Sequence, residues 1–286
     1  MTDLTIGVLA LQGAFVEHIT LLRKAAETFK STRQSKDANA SIDNIAFSFV
    51  EVRTPAELSR CDALIIPGGE STSISLIAQR TGLLEPLRDF VKLDRKPVWG
   101  TCAGLILLAE SATGEAKAGQ ELIGGLDVRV RRNYFGRQVE SFEAELALPF
   151  LGDGQGGCFR TVFIRAPVVE AVLGTSSGAT DTGSAHDSAV LTVHAPPKSA
   201  TKAEVEILAR LPGRAQTIRD RTTTAGELGE EGDIVAVKQG NVFGTAFHPE
   251  LTGDERIHGW WLGQVVKAAV GAKKATGEGD AHHEPV

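Results

Sequence analysis

Short apolar runs alternate with segments of helical periodicity through the first hundred residues of this 286-residue chain. Strands are predicted at Ile6–Leu11, Ile45–Val52, Ala63–Ile66 and Val98–Trp99. Apolar positions recur at helical spacing over residues 13–29, 71–80 and 83–93. Strands that alternate with helices predict an α/β fold, in which a mostly parallel central sheet is covered by helices on both faces as a three-layer sandwich.

The pattern changes in the middle of the chain. Residues 126–133, 140–148 and 161–167 are separated by glycine-rich turns and predict further strands of mixed direction. Residues 233–250 contain two apolar runs joined by Gln-Gly-Asn, which predicts a hairpin. Helical spacing returns over 256–270 and predicts a closing helix.

Three polar segments interrupt these elements, at about 30–43, 174–201 and 213–232. They are rich in small, polar and charged residues, a composition typical of surface insertions. We therefore expect a single domain over residues 1–272 that carries these insertions, followed by a flexible tail over 273–286.

Composition excludes several classes of function. The net charge of −6 gives no electrostatic footprint for nucleic acid. No apolar run reaches the roughly 18–20 residues that span a bilayer, and the first residues lack the pattern of a signal peptide. We therefore expect a cytoplasmic protein without nucleic-acid or membrane partners. The three cysteines show neither a disulfide framework nor zinc spacing, so we expect free thiols and no metal.

Four glycine-bearing or polar segments directly follow predicted strands. They are residues 11–18, 67–71, 100–104 and 246–250. Open α/β sheets place their ligands at the carboxyl ends of the strands, so these segments are expected to meet at one edge.

Cys102 lies in the segment Gly-Thr-Cys-Ala-Gly at the end of the fourth predicted strand. This spacing is the cysteine counterpart of the nucleophile elbow, a sharp strand-to-helix turn that exposes the reactive atom. Gly100 and Gly104 would relieve crowding at such a turn, and Ala103 would begin the helix. A small, inert core cysteine is the alternative interpretation.

A thiolate nucleophile needs a base and a group that orients the base. His248 and Glu250 are two residues apart, so on an extended segment their side chains leave on the same face. Taken alone, His248 fits a structural histidine as well. The paired glycines of residues 67–71 favour an oxyanion hole or substrate cradle, since the lysine of a phosphate loop is missing. Glu70 and Ser71 fit a helix cap equally.

With these residues in place, the chain resembles the glutaminase subunits of pyridoxal 5′-phosphate synthase, which are class I glutamine amidotransferases. The matching stretches are GVLALQGAFVEH, IIPGGESTSI, VWGTCAGLILLA, RNYFGRQVESFEAEL, FIRAP and FHPELTGDERIH. They cover most of the chain outside the insertions. The resemblance implies a flavodoxin-like, class I glutamine amidotransferase-like sheet and hydrolysis of L-glutamine to L-glutamate and ammonia, without a cofactor.

The resemblance also implies roles for individual residues. Cys102 would be the nucleophile, His248 the general acid and base, and Glu250 its orienting partner. The residues implied to line the glutamine site are Gly69, Glu70, Ser71, Arg132, Ile164 and Arg165. The backbone N–H groups of Gly69 and Ala103 would form the oxyanion hole. For Arg132, a solvated strand face is the alternative interpretation.

The resemblance implies a hetero-oligomer in which ammonia passes to a separate synthase subunit that makes pyridoxal 5′-phosphate. Gln12, Glu17 and His18 lie where docking is expected and are candidate interface residues, although His18 also fits an ordinary helix position. Two alternatives remain open. The chain would serve a different ammonia acceptor, or it would be a catalytically silent regulatory subunit.

Overall fold

A mixed eleven-stranded sheet forms the centre of the protein and is accompanied by a separate two-stranded sheet. The computed structural model describes residues 2–34, 45–114, 119–134, 141–152, 158–173, 192–197, 203–212 and 232–277. The strands are β1 (Thr2–Leu9), β2 (Ile45–Val52), β3 (Ala63–Ile66), β4 (Val98–Thr101), β5 (Ala109–Thr113), β6 (Leu126–Arg131), β7 (Ser141–Leu146), β8 (Phe159–Ile164), β9 (Val168–Val172), β10 (Val193–His194), β11 (Glu206–Leu211), β12 (Asp233–Gln239) and β13 (Val242–Thr245). The helices are α1 (Phe15–Gln34), α2 (Pro55–Ser59), α3 (Ser71–Arg80), α4 (Leu84–Lys92), α5 (Ala103–Leu108) and α6 (Arg256–Gly277).

Five neighbouring strands, in the order β2, β1, β3, β4 and β13, are parallel and form the half of the sheet that carries the glycine-bearing segments. β3 and β4 are buried along their whole length, as expected for parallel strands covered on both faces. The chain runs outward from β1 to β2 and then returns past β1 to β3. This reversal makes the β1–β3 boundary a topological switch point, where such sheets bind ligands.

Helices cover this parallel half in two groups. Across the sheet, the connection from β1 to β2 runs in one direction, and the connections from β2 to β3 and from β3 to β4 run in the other. Since such crossovers are right-handed, α1 lies on one face and α2, α3 and α4 lie on the other. α1 packs against α6, and α3 packs against α4 and α5. The α/β class and the three-layer arrangement expected from the sequence are confirmed.

The other half of the sheet is mixed. β12 pairs antiparallel with β13 across Gly240 and Asn241, which confirms the predicted hairpin. β6 pairs parallel with β5 and antiparallel with β9. β7 and β8 form the separate antiparallel pair. No helix in the described part of the chain is long and apolar enough to span a membrane.

Several predicted boundaries change in the structure. α1 continues through Gln34, so residues 30–34 extend the first helix and are not insertion. α6 continues through Gly277, so the first five residues of the expected tail, 273–277, are helical. β10 falls within the expected insertion at 174–201. Residues 35–43, 174–191, 198–201, 213–231 and 278–286 lie outside the described residues, and the single-domain division stays a prediction.

Candidate active site

The four segments singled out in the sequence follow β1, β3, β4 and β13, which are mutually parallel neighbours. Their carboxyl ends therefore lie at one edge of the sheet. The register of β13 on β4 places Thr245 beside Thr101, so the residues that follow these two strands leave the sheet side by side. This pairing brings Cys102 and His248 together although 146 positions separate them in the chain (248 − 102).

Cys102 occupies a strained turn between β4 and α5. Its backbone has φ 48° and ψ −99°, a region that non-glycine residues rarely adopt. Its N–H donates to the carbonyl oxygen of Thr245 at 2.8 Å, which anchors the turn to β13. A Cβ on Gly104 would lie 2.0 Å from the carbonyl oxygen of Ile66. The strand-to-helix elbow predicted from the sequence is present, and its glycine permits the close packing beneath it.

His248 is held between Glu250 and the glycine loop after β3. Its Nδ1 lies 2.7 Å from Oε1 of Glu250, and its backbone N–H donates to the carbonyl oxygen of Val162 at 2.8 Å. A Cβ on Gly68 would lie 2.3 Å from Cε1 of His248, so the imidazole rests on a position that only glycine leaves open. Gly68 was not among the predicted site residues, although the Gly-Gly pair was its signal.

The charges of this cluster reinforce one another. Burial alone would lower the pKa of His248, but hydrogen bonding and charge interaction with Cys102 and Glu250 raise that pKa to about 10. Burial pushes the pKa of Glu250 upward, but the nearby His18 and His248 outweigh it, and the net pKa is lowered. The arrangement therefore favours an imidazolium beside an ionised carboxylate.

The thiol of Cys102 faces the loop between β8 and β9. The Cys102 side chain is buried, and its Sγ lies 3.8 Å from the carbonyl oxygen of Ile164. Ile164 and Arg165 are both exposed, and Arg165 has a strained φ of 44°. Ile164 therefore borders the thiol, and a substrate contact by Ile164 or Arg165 stays a prediction.

The loop after β3 is tied to the loop after β1. The N–H of Glu70 donates to Oε1 of Gln12 at 2.9 Å, and a Cβ on Gly13 would lie 1.8 Å from the carbonyl oxygen of Gly68. A Cβ on Gly69 would meet the same Gln12 oxygen at 2.9 Å. The two loops interlock, so Gln12 fixes the position of the glycine pair.

Glu70 caps α3, as the alternative interpretation of this segment expected. Its carboxylate accepts hydrogen bonds from the N–H groups of Thr72 and Ser73 and from the Ser73 hydroxyl. Burial tends to raise the pKa of Glu70, but these hydrogen bonds lower it overall. Ser71 is buried at the first position of the helix. A substrate contact by Glu70 or Ser71 stays a prediction.

Arg132 lies just beyond β6 and is 6% exposed. None of its three guanidinium nitrogens has a hydrogen-bond partner among the described residues. Burial lowers the pKa of Arg132, and the charge of Glu70 opposes that shift. The solvated strand face considered for this position is wrong for Arg132, although Arg131 is exposed. Residues 135–140 of the same motif lie outside the described part of the chain.

The three interface candidates separate in the structure. Gln12 and Glu17 are exposed. His18 is completely buried, so its expected place on the docking surface is wrong. His18 follows the exposed Glu17 on α1, but the helical period directs its side chain into the interior behind the site. There its Nε2 lies 3.4 Å from Oε2 of Glu250.

The chain is similar to known proteins over most of its length. The chain matches the SNO glutamine amidotransferase family over residues 8–196 and 206–267. It is 39% identical to the "Probable pyridoxal 5′-phosphate synthase subunit PDX2" of Arabidopsis thaliana, over 99% of this chain and 96% of the relative. It is 40% identical to the "Pyridoxal 5′-phosphate synthase subunit PdxT" of Streptomyces avermitilis, over 93% and 96% of the two chains. A solved structure described as a glutamine amidotransferase aligns with a TM-score of 0.60 and 33% identity, over 91% of this chain and 98% of that one.

Proposed function

Since the chain belongs to the SNO glutamine amidotransferase family, we propose that it hydrolyses L-glutamine to L-glutamate and ammonia through Cys102, His248 and Glu250. One observation carries the assignment of residues. The 2.7 Å contact between Nδ1 of His248 and Oε1 of Glu250 leaves Nε2 of the same ring for the thiol of Cys102, which sits on the strained elbow. A nucleophile, a base and an orienting carboxylate thus occur in one buried cluster.

The reaction follows from this arrangement in two halves. The thiolate of Cys102 attacks the side-chain amide carbon of glutamine, and the imidazolium of His248 gives its proton to the departing nitrogen. Ammonia leaves and a glutamyl thioester remains on Cys102. Neutral His248 then takes a proton from water, whose oxygen attacks the thioester carbon. L-glutamate departs, and the thiolate and imidazolium are restored.

Negative charge develops on the amide oxygen in both halves of the reaction. We assign its stabilisation to the backbone N–H groups of Ala103 and Gly69. The elbow supports the first assignment, because Ala103 directly follows the nucleophile at the start of α5. The hydrogen bond from Glu70 to Gln12 supports the second, because it fixes the loop that carries Gly69.

The amino-acid end of glutamine needs partners for a carboxylate and an ammonium group. We assign the carboxylate to Arg132, whose buried guanidinium lacks a partner in the described structure and suits bidentate recognition. Glu70 offers negative charge for the ammonium group, next to Ser71. Ile164 and Arg165 complete the mouth of the site.

The chain is the glutaminase subunit of pyridoxal 5′-phosphate synthase, and its ammonia feeds the synthase subunit of that enzyme. The two subunits form a hetero-oligomer. We place this activity in the cytoplasm and in one domain that extends to the end of α6 at Gly277.

Ammonia release from L-glutamine, with and without the cognate synthase subunit, tests this proposal. The wild-type chain should release ammonia when the synthase is present, and Cys102→Ala should abolish the release while still binding the synthase. Cys158→Ala removes an exposed thiol and serves as the matched control with normal activity. Ammonia release by Cys102→Ala near the wild-type rate would refute the assignment. A silent wild-type chain that still docks would identify a regulatory subunit.

A further inference from the structure

Two buried histidines continue the catalytic cluster away from the substrate. His18, from the first turns of α1, and His258, from the first turn of α6, are both completely buried. Nδ1 of His18 lies 3.0 Å from Nε2 of His258, and Nε2 of His18 lies 3.3 Å from Oγ1 of Thr101 and 3.4 Å from Oε2 of Glu250. The mechanism above uses only the Oε1 side of Glu250.

We propose that His18 is a positioning residue for Glu250, and that His258 in turn holds His18, so that the carboxylate is fixed from the side opposite His248. This inference rests on the proposed function, because positioning has a purpose only if Glu250 orients the base. Oε1 faces His248 at 2.7 Å while Oε2 faces His18 at 3.4 Å. Rotation of the carboxylate would break both contacts at once.

The need for such support is visible at Oε2. This oxygen is buried, and no aligned hydrogen bond reaches it from the described residues. An unsatisfied buried carboxylate oxygen is costly, so the N–H of His18 supplies the compensating positive dipole. The contact is bent, because the same N–H is shared with the hydroxyl of Thr101.

Hydrogen-bond satisfaction selects one tautomer for each ring. If His18 carried its proton on Nδ1, its bare Nε2 would face a carboxylate. His258 would then have to carry its proton on Nδ1, which has no partner among the described residues. If both rings carry the proton on Nε2, His258 donates to His18, and His18 donates toward Glu250. The nitrogen left unpaired is then Nδ1 of His258, which is an acceptor in this tautomer. Burying an unpaired acceptor nitrogen costs less free energy than burying an unpaired N–H.

The charges around His18 agree with a neutral ring. The titratable groups that act on it are Glu250, His248 and Glu17, with His258 on the adjoining helix. Burial lowers the pKa of His18 more than the acidic groups raise it, and burial lowers the pKa of His258 well below its usual value. The indole of Trp99 packs edge-on against both rings, with centroids 5.7 and 4.9 Å away. A neutral His18 supports Glu250 without neutralising the charge that His248 needs.

Two variants of His18 separate positioning from packing. Asn places its amide near the position of Nδ1, so His18→Asn keeps a partner for His258 but does not reach Glu250. Gln places its amide near Nε2, so His18→Gln restores a donor toward Glu250. Each is assayed for glutamine hydrolysis at saturating synthase, so that weaker docking does not imitate slower chemistry. His194→Asn, at an exposed histidine, is the matched control.

His18→Asn should lower kcat at least about tenfold and change KM for glutamine by less than about twofold. It should also shift the pH profile of kcat to lower pH, because His248 loses support for its imidazolium. His18→Gln should recover most of kcat. The proposal is overturned if His18→Asn keeps kcat within about twofold of wild type. It is equally overturned if both variants are equally slow with an unchanged pH profile, which is the signature of packing alone.

A measurement on the unsubstituted protein covers the case in which the variants do not fold. Nitrogen-15 NMR of histidine-labelled protein should show His18 and His258 as neutral rings protonated at Nε2 near neutral pH. A proton on Nδ1 of His18 would overturn the inference. The NMR measurement does not depend on glutamine hydrolysis. An inactive wild-type chain would refute the proposed function, and the tautomers of His18 and His258 would still test the inference separately.

Discussion

At the scale of single residues, the buried guanidinium of Arg132 costs the fold stability, and we propose that glutamine binding is the reason it is kept. Its buried guanidinium has no partner in the described structure. Arg132→Met keeps most of the packing volume and removes the buried charge. We expect an unchanged or slightly higher free energy of unfolding, together with a KM for glutamine raised by about 10- to 150-fold, the equivalent of a lost charged hydrogen bond.

Urea unfolding and steady-state kinetics of the same preparation measure both effects. Arg131→Met, at the exposed neighbouring position, is the control and should leave KM unchanged. An unchanged KM in Arg132→Met would remove Arg132 from the glutamine site.

Protonated His248 stabilises the fold, so its contribution to the free energy of unfolding falls as the pH rises. Its pKa in the folded protein is raised from 6.5 to about 10. A raised pKa means that the native state holds the proton more tightly than the unfolded chain does, so this stabilisation is complete below about pH 6.5 and is lost as the pH rises through about 10. The stability advantage of wild type over His248→Gln should therefore shrink between about pH 6 and about pH 10.

Urea unfolding at intervals across that range measures the difference. His194→Gln, at an exposed position, is the control. It measures how much of the pH dependence of stability follows from the loss of any histidine. An advantage that stays constant with pH would contradict the raised pKa.

Local spacing predicted Cys102, His248 and Glu250 because each lies in a short motif whose chemistry is readable from its neighbours. Gly68 and His18 required the fold. Gly68 matters because the imidazole of His248, which follows β13, packs on it. The contact between His18 and Glu250 depends on which side of α1 faces β4. The Gly-Gly pair marks Gly68 as a place of close backbone packing, but nothing near either residue in the sequence identifies the distant group that it contacts.

At the scale of elements, the site depends on how closely the loops after β3 and β13 approach. The imidazole of His248 fills the space where a side chain on Gly68 would begin. Gly68→Ala should displace the ring and lower kcat by about 100-fold, the usual cost of a misplacement of about 1 Å, with the fold retained.

Kinetics at saturating synthase and circular dichroism test this expectation together. Gly271→Ala places the same methyl group on α6, where nothing lies within 4 Å, and it should be neutral or stabilising by about 0.5–1 kcal/mol. A normal kcat in Gly68→Ala would mean that His248 has room to move without loss.

The sequence predicted the parallel strands best, since β2 and β3 begin and end where their apolar runs do. It missed β5, because the apolar run over residues 103–109 continues past Leu108 without a break. Pairing with β6 ends the helix there, and that partner is distant in sequence. Conversely, residues 30–34 look like loop by composition, yet they extend α1.

At the scale of the whole molecule, the exposed start of α1 carries both charge and apolar surface, and we propose that the synthase docks there. Glu17 is exposed, and the neighbouring Val16 is 53% exposed. Glu17→Lys reverses a charge without touching the core. It should weaken synthase binding by about tenfold, while ammonia release at saturating synthase stays near the wild-type rate.

Titration of the synthase by calorimetry or by activation of ammonia release gives the dissociation constant. Glu27→Lys makes the same reversal at an exposed position further along α1 and should bind normally. Equal affinities for the two variants would place the docking surface elsewhere.

The register of β13 on β4 has a consequence for the order in which the protein acquires activity. Residues 242–245 bring the base to a nucleophile that was synthesised more than a hundred residues earlier. A nascent chain that still lacks β13 therefore has neither the base nor the hydrogen bond that anchors the Cys102 turn, and it consumes no glutamine. In a refolding experiment, the onset of ammonia release therefore reports that β13 has docked on β4.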